Sequence, residues 1–314
     1  MPKRASDDAP HVVLIDGTNT LYRAFFAIPG LRAPDGSPTN AAYGFINMLA
    51  KVRREERPDY LIVVFDARGK TFRHARYSDY KANRDAQPED LSAQIPIVRE
   101  LVAAYRVPAL EVAGVEADDV IATLVDRAPA GARVTIVSTD KDLMQLVNER
   151  VTVVDGIKDR RYRAEDVEAR FGVPPEKLLD LRALVGDPSD NIPGVKGIGE
   201  KGAAKLIQEW GDLDNLLAHV QEVSPARARN ALAEGSESAL LSRDLSTLRR
   251  DVSLSDSYDE WRLAEPAGDE LRFHKQPPLG GAGGNPHIFF EFTDGEGDGY
   301  ADPFYLGRCV QNSN

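Results

Sequence analysis

The chain has 314 residues, with 39 Lys and Arg against 50 Asp and Glu, a net charge of −11, and one cysteine. The lone Cys309 excludes an internal disulfide framework and a cysteine-cluster zinc site, and it points to a reducing, cytoplasmic setting. No apolar run approaches the roughly 20 residues of a membrane helix, and no signal peptide is expected, because the polar lead 1–10 meets only VVLI before an acid. The overall acidity speaks at first against a nucleic-acid partner. It is unevenly spread, however: residues 251–314 hold 12 acids and 4 bases, net −8, whereas residues 1–250 hold 38 acids and 35 bases, net −3.

In chain order, β-rich runs at 11–15, 60–65, 109–112, 133–138 and 150–154 alternate with helical patterns at 40–54, 92–105, 117–126 and 141–147. The alternation predicts an α/β fold with a mostly parallel central sheet flanked by helices. The unbroken apolar runs VVLI and LIVVF read as strands buried on both faces. Four regions follow: a flexible lead at 1–10, an α/β body at 11–175, a helical glycine-punctuated region at 176–265 and a Gly/Pro-rich acidic tail at 266–314. In the tail, PLGGAGGNP and DGEGDGYADP lack the apolar surface to offset ordering entropy, so poor order is expected there. HIFFEF at 287–292 is its one apolar patch, available to dock on the body. Asp294, Glu296, Asp298 and Gly299 imitate the start of a calcium loop, but Tyr305 stands where the bidentate Glu is needed.

Three strands run directly into acids: VVLI into Asp16, LIVVF into Asp66, and TIVST into Asp140 with Asp142 close behind. Ligands of open parallel sheets gather beyond the carboxyl ends of strands, so these acids should converge on one edge. Taken singly, each could be a helix N-cap. VEADD adds Glu116, Asp118 and Asp119 ahead of an apolar helix, more acid than one cap requires. GDPSDN adds Asp187 and Asp190 in a turn. An all-oxygen set of this kind selects hard cations, Mg²⁺ or Mn²⁺, and two such ions can clamp the attacking and leaving oxygens of a phosphodiester. Of the histidines, His11 and His74 sit nearest this chemistry.

The segment 68–84 carries Arg68, Lys70, Arg73, Arg76, Lys81 and Arg84 against the single acid Asp79, with Phe72, Tyr77 and Tyr80 interleaved. Cations neutralise phosphates and aromatic rings stack unpaired bases, so an arm rooted beside Asp66 suits a single nucleic-acid strand. The alternative is a solvated amphipathic helix. Further on, Gly194, Gly197 and Gly199 precede a helix that begins near Glu200, with Lys196 and Lys201 alongside. Backbone N–H groups at such a turn can hold the phosphates of a duplex without reading its sequence.

The motifs LIDGTNTLYRAFFA, VVFDARGKTFRHARYSDYKANR, GVEADDVIATL, STDKDLMQL and GDPSDNIPGVKGIGEKGAAKLI occur here in that order. Over residues 11–255 the chain resembles the 5′-nuclease domain of bacterial DNA polymerase I, within the flap endonuclease family. The resemblance implies a resolvase-like nuclease core at 11–175, a helical arch at about 68–90 and a helix–three-turn–helix module for duplex DNA at 176–265. It implies two Mg²⁺, for which Mn²⁺ can substitute, with Asp16, Asp66, Glu116, Asp118 and Asp119 at a first site. Asp140, Asp142, Asp187 and Asp190 would serve a second, sharing Asp119. It further implies that Arg73, Tyr80, Lys81 and Arg84 handle the scissile strand, and that K⁺ binds the module carrying Gly194–Lys201. The implied partners are 5′-flap, nicked or gapped DNA, an RNA primer on DNA, and a separate DNA polymerase. Gly202 and Pro188 depart from the residues usual in the family, and neither removes a ligand. Two other readings compete: a non-catalytic flap-binding protein, disfavoured by the cost of idle buried acids, and a related metal-dependent RNase, disfavoured by IPGVKGIGEK.

Overall fold

The computed structural model describes residues 9–33, 35–254 and 257–263 in full, and the backbone of 270–276 and 287–293. The elements are β1 (His11–Asp16), α1 (Gly17–Ala27), α2 (Asn40–Glu56), β2 (Tyr60–Val64), α3 (Phe72–Arg76), α4 (Glu89–Ser92), α5 (Ile95–Ala104) and β3 (Ala109–Leu110). Next come α6 (Ala117–Arg127), β4 (Arg133–Val137), a 3₁₀ helix (Asp142–Leu146), β5 (Val151–Asp155), β6 (Arg160–Tyr162) and α7 (Ala164–Phe171). The helical region holds α8 (Leu178–Val185), α9 (Glu200–Trp210), α10 (Leu213–Ala218) and α11 (Ala226–Ser246), with short 3₁₀ turns at Pro175–Lys177, Val220–Glu222 and Tyr258–Trp261. Two further strands, β7 (Glu270–Gln276) and β8 (His287–Thr293), pair antiparallel.

The strands form a sheet of order β3-β2-β1-β4-β5-β6, parallel except for β6 at one edge. β1 is fully buried, and its side chains alternate between two cores. Val12 and Leu14 join Ile62, Ile121, Leu124 and Ile136 on one face, whereas Val13 and Ile15 join Phe45, Ile46, Leu61 and Leu101 on the other. The period-two division explains why no polar side chain stands between His11, at the start of the strand, and Asp16, where it emerges at its carboxyl end. β1 pairs with β2 on one side and β4 on the other. The chain leaves β1 toward β2 and returns to the far side at β4, so the sheet's switch point lies beside β1, where a ligand crevice opens.

The α/β fold with a mostly parallel sheet matches the reading of the sequence, and the differences are local. The pattern at 92–105 is broken into α4 and α5, with Pro96 in the first turn of α5, a position that needs no backbone N–H. The pattern at 141–147 is a tight 3₁₀ turn, and the strand at 109–112 is two residues long. HIFFEF lies in β8, opposite a strand at 270–276 for which the sequence showed no pattern. The lead 1–8, the linking stretch 277–286, the acidic run from 294 and Cys309 lie outside the described residues.

α8 and α11 pack together and carry the loop 186–195 at the sheet's carboxyl edge. Here two glycines meet. A Cβ on Gly194 would stand 2.5 Å from the backbone of Val185 and Gly186, and one on Gly186 would stand 2.4 Å from the Ile192 carbonyl; both residues have positive φ. Ser242 and Ser238 on α11 fasten the crossing, the first accepting from Gly194 N and the second donating to Gly194 O. Gly194→Ala should therefore cost at least about 2 kcal/mol in chemical denaturation, through strain and collision together, whereas Gly197→Ala, with open space around it, should cost less.

Candidate active site

The sequence-predicted acids do assemble at the carboxyl ends of β1, β2 and β4, joined by the amino end of α6 and the loop after α8. Local chemistry holds each in place. Asp16 caps α1 by accepting from Asn19 N at 3.0 Å, and its other oxygen accepts from the Ser138 hydroxyl at 2.7 Å. Asp66 accepts from Ala117 N at 2.8 Å, tying the end of β2 to the first turn of α6, while its own N–H donates to Thr18. Asp140 accepts from Asp142 N at 2.8 Å. The cap reading of Asp16 holds, and the cap sets the direction in which the carboxylate faces the other acids.

Electrostatics sorts the acids into two kinds. Among the described residues, Asp16, Asp66 and Asp118 have no basic partner and face one another. Burial, then the charges of Asp66 and Asp140, push the Asp16 carboxyl up to about 7. Burial and the surrounding acids Asp140, Asp16, Asp66 and Glu116 hold Asp118 well above the usual carboxylate range. Asp140 is raised too, chiefly by burial. The remaining acids are matched by cations of the chain. Lys81 Nζ lies 2.6 Å from Glu116 and 3.6 Å from Asp190. Arg84 pairs with Asp190. Arg182 lies between Asp142, at 2.8 Å, and Asp187. Asp187 is held below its ordinary value because hydrogen bonds from Ser189 and the Arg182 charge outweigh its burial. Asp142, facing Asp140, Asp187 and Asp190 in a more buried position, is raised to about 7 despite the same guanidinium.

Asp119 stands apart from the open acids. It is 0% exposed, and Arg73, 2% exposed, grips both its oxygens at 2.7 and 2.8 Å. Arg73 also donates to the carbonyls of Leu245 and Thr247, and Arg249 N donates to Asp119 at 2.9 Å. Glu116 N donates to Asp119 as well, so the pair fixes the start of α6, the root of the arm and the end of α11 together.

The arm at 68–90 contains the short helix α3 and the first residues of α4, and is otherwise turns and loop that fold back onto the acids. Tyr80 is buried, with its hydroxyl 3.0 Å from Glu116 and 3.3 Å from Asp190. Phe72 lies between the guanidiniums of Arg249, 3.7 Å from its ring centre, and Arg73, at 4.5 Å. Tyr77 packs beside Tyr80, Ile192 and Leu245. These three aromatics are therefore committed to the fold in this structure and not presented for stacking. Arg76 is exposed and pairs with Asp244, and Arg68 and Lys70 are exposed beside Asp66. Lys81 takes a left-handed backbone, φ +57°, and its N–H donates to the Asp190 carbonyl. A lysine in that region is strained, and here it is held by the loop it touches.

At the glycine turn, Gly194 is buried with its N–H already spent on Ser242, while Lys196, Gly197, Gly199 and Lys201 are exposed. The N-cap of α9, Gly199, brings no side-chain acceptor, so the first N–H groups of that helix remain open to an anion. His11 lies at the opposite end of β1 from the acids, 2.9 Å from Thr135, and His74 spends its Nδ1 on Thr71. Arg182, Ser138, Asn19 and Thr18 went unremarked in the sequence. An arginine inside the apolar run LLDLRALV was the one available signal.

Among the described residues, no three acids stand at ligating distance of a common point. Like charges without a cation between them keep apart. The donor set nevertheless fits a hard divalent ion: it is all oxygen, partly buried, and carries raised carboxyls that such a charge would relieve.

Residues 11–172 match the family described as 5′-3′ exonuclease, N-terminal resolvase-like domain, and residues 173–269 match its C-terminal SAM fold. The two halves of one class of nuclease are thus present in order. The chain belongs to the 5′-3′ exonuclease family. It is 46% identical over 270 residues to a DNA polymerase I of Rhizobium leguminosarum, covering 83% of this chain and 27% of that protein. It is 40% identical over 260 residues to a 5′-3′ exonuclease of Aquifex aeolicus, covering 82% of this chain and 89% of that one. The chain accordingly spans under a third of the polymerase relative and most of the exonuclease. A bacteriophage T5 protein co-crystallised with metal ions superposes with a TM-score of 0.66 at 26% identity, over 75% of this chain and 89% of that one. No described helix is long and apolar enough to cross a membrane.

Two predictions follow from the charges. Asp16 and Asp142 ionise near 7 in the fold and near 3.8 as ordinary aspartates, so between those values the folded chain binds more protons than the unfolded one. Metal-free stability should be greatest below about pH 4 as far as these groups decide it, and should fall as pH rises to 7, by a few kcal/mol. Melting curves at pH 5 and 8, with and without Mg²⁺, check this: the ion should restore stability mainly at pH 8. Arg73→Met should cost about 3–5 kcal/mol in urea unfolding, because it strands Asp119 in a dry interior.

Proposed function

We propose that this chain is a structure-specific 5′ nuclease that hydrolyses phosphodiesters at 5′ ends and 5′ flaps of DNA with two divalent ions, Mg²⁺ or in its place Mn²⁺. The observation that carries the reading is the cation-free group Asp16, Asp66 and Asp118, with Asp140 beside it, at the switch point of the sheet in a chain of this family. Asp16, Asp66 and Asp118 would hold the first ion. Asp142, Asp187 and Asp190 would hold the second with Asp140, and Glu116 borders both groups. Bound divalent ions supply a water of lowered pKa and neutralise charge on the phosphate under attack.

The chain's own side chains do the rest. Lys81 and Arg84 sit on the acids and would turn to the scissile phosphate, offering charge where the leaving oxygen becomes negative. Arg68 and Lys70 line the way in for the single strand. Arg73 acts through Asp119 as the anchor of the arm and does not reach the reacting atoms. Lys196, Gly197, Gly199 and Lys201, at the open start of α9, would grip the duplex backbone, where K⁺ is a further expected ligand. Flap, nicked or gapped duplex and RNA primers on DNA are the substrates this layout favours. A separate polymerase is the fitting partner, and the cytoplasm the fitting compartment.

The test is cleavage of a 5′-labelled flap duplex in Mg²⁺. Asp140→Ala should lower the rate at least about a hundred-fold while leaving the fold intact. Absence of cutting by the unaltered protein in both Mg²⁺ and Mn²⁺ would sink the proposal.

A further inference from the structure

Two groups of three acids in this site carry equal charge and unequal compensation. Asp16, Asp66 and Asp118 sum formally to −3 with no paired cation among the described residues. Asp142, Asp187 and Asp190 also sum formally to −3, but Arg182 lies on the first two and Arg84 on the third, with Lys81 shared between Asp190 and Glu116. Arg84 belongs to the arm, and half of its side chain is exposed, at 53%. Arg182 cannot leave in that way. It rises from α8 with its side chain 6% exposed, donates Nε to Asp142 at 2.8 Å and Nη2 to Asp187, and its charge also reaches Asp140.

We infer that Arg182 is a resident counter-ion of the second metal position, a positioning residue that keeps Asp142 and Asp187 aimed while weakening the ion they would hold. The inference rests on the reading of these acids as metal ligands. Each carboxylate has about four lone-pair sites; Arg182 takes one on each and Ser189 two more on Asp187, which leaves sites on both carboxylates open to a divalent ion. The two charges then coexist at close range and repel. Without Arg182 the acids would attract the ion more strongly but would repel each other when metal-free. The first ion therefore binds tightly and the second loosely, an order to which the buried arginine of α8 contributes a charge that cannot swing away.

Mn²⁺ binding to the full chain, read from the electron paramagnetic resonance signal of the free ion, tests this without DNA or turnover. The unaltered protein should show a tight and a weaker class. Arg182→Gln should tighten the weaker class roughly ten-fold, the size of the repulsion between a divalent ion and a nearby guanidinium even in a water-like dielectric. Arg182→Lys, which keeps the charge, should stay within about two-fold of the unaltered protein. Arg182→Leu provides a second neutral variant, and circular dichroism checks that each is folded. A weaker class unchanged or loosened in the neutral variants overturns the inference, since Arg182 would then only orient its partners. Collapse of both neutral variants in metal-free buffer overturns it also, since Arg182 would then be an anchor of the fold. An unaltered protein that takes up no Mn²⁺ has a different meaning: it removes the metal reading itself, and the inference falls with it.

Discussion

Mutual repulsion among carboxylates at one edge of a parallel sheet is the constraint around which this protein is built. Strands buried on both faces can expose polar groups only at their ends, and β1, β2 and β4 all end in the same direction. Any acids placed after them must crowd together. The fold opposes that crowding by two means. Hydrogen bonds from Asn19, Ser138 and Ala117 hold Asp16 and Asp66 in position, and Lys81, Arg84 and Arg182 offset Glu116, Asp190, Asp142 and Asp187. What remains uncompensated is an anionic group, a cost to the metal-free fold that a bound cation would relieve.

The buried Arg73–Asp119 pair serves a different purpose. It contains as much charge as any pair in the site, but it is sealed from water and bonded on nearly every side. Its bonds join residues distant in the chain: α3 at the arm's root, the start of α6 and the end of α11. Such a pair adds little net stability over an apolar contact, yet it permits one arrangement only, because removing either partner strands a charge. The base of the arm is thereby fixed, while farther along Lys81 and Arg84 reach the acids through ion pairs with Glu116 and Asp190. Phe72, enclosed by two guanidiniums, belongs to the same fixed base.

The opening charge of −11 now has a physical interpretation. Nine of the acids in residues 1–250 sit in this site, so the net −3 of that region conceals a surface on which Arg68, Lys70, Lys196 and Lys201 are exposed and basic. A chain of net negative charge can still present basic surface because its acids are gathered in one place, several of them already matched by internal cations.

Much of this was legible without a structure. The apolar runs ending in acids and the VEADD and GDPSDN motifs determined the α/β fold and the membership of the acidic cluster, because strand burial and strand direction follow from local pattern. The tertiary structure alone decided which acid meets which cation. Asp119 and Asp118 are adjacent in sequence, yet one is locked to Arg73 and the other faces only acids, since consecutive residues at a helix start point in different directions. Likewise the arm read as basic and aromatic, but only packing showed that Tyr80 and Phe72 turn inward. Arg182, forty places from Asp142 in the chain, stood out only as an arginine in an apolar run, with nothing to say which acid it meets. Pairing between charges is a property of distances between elements, and a sequence lists the charges without those distances.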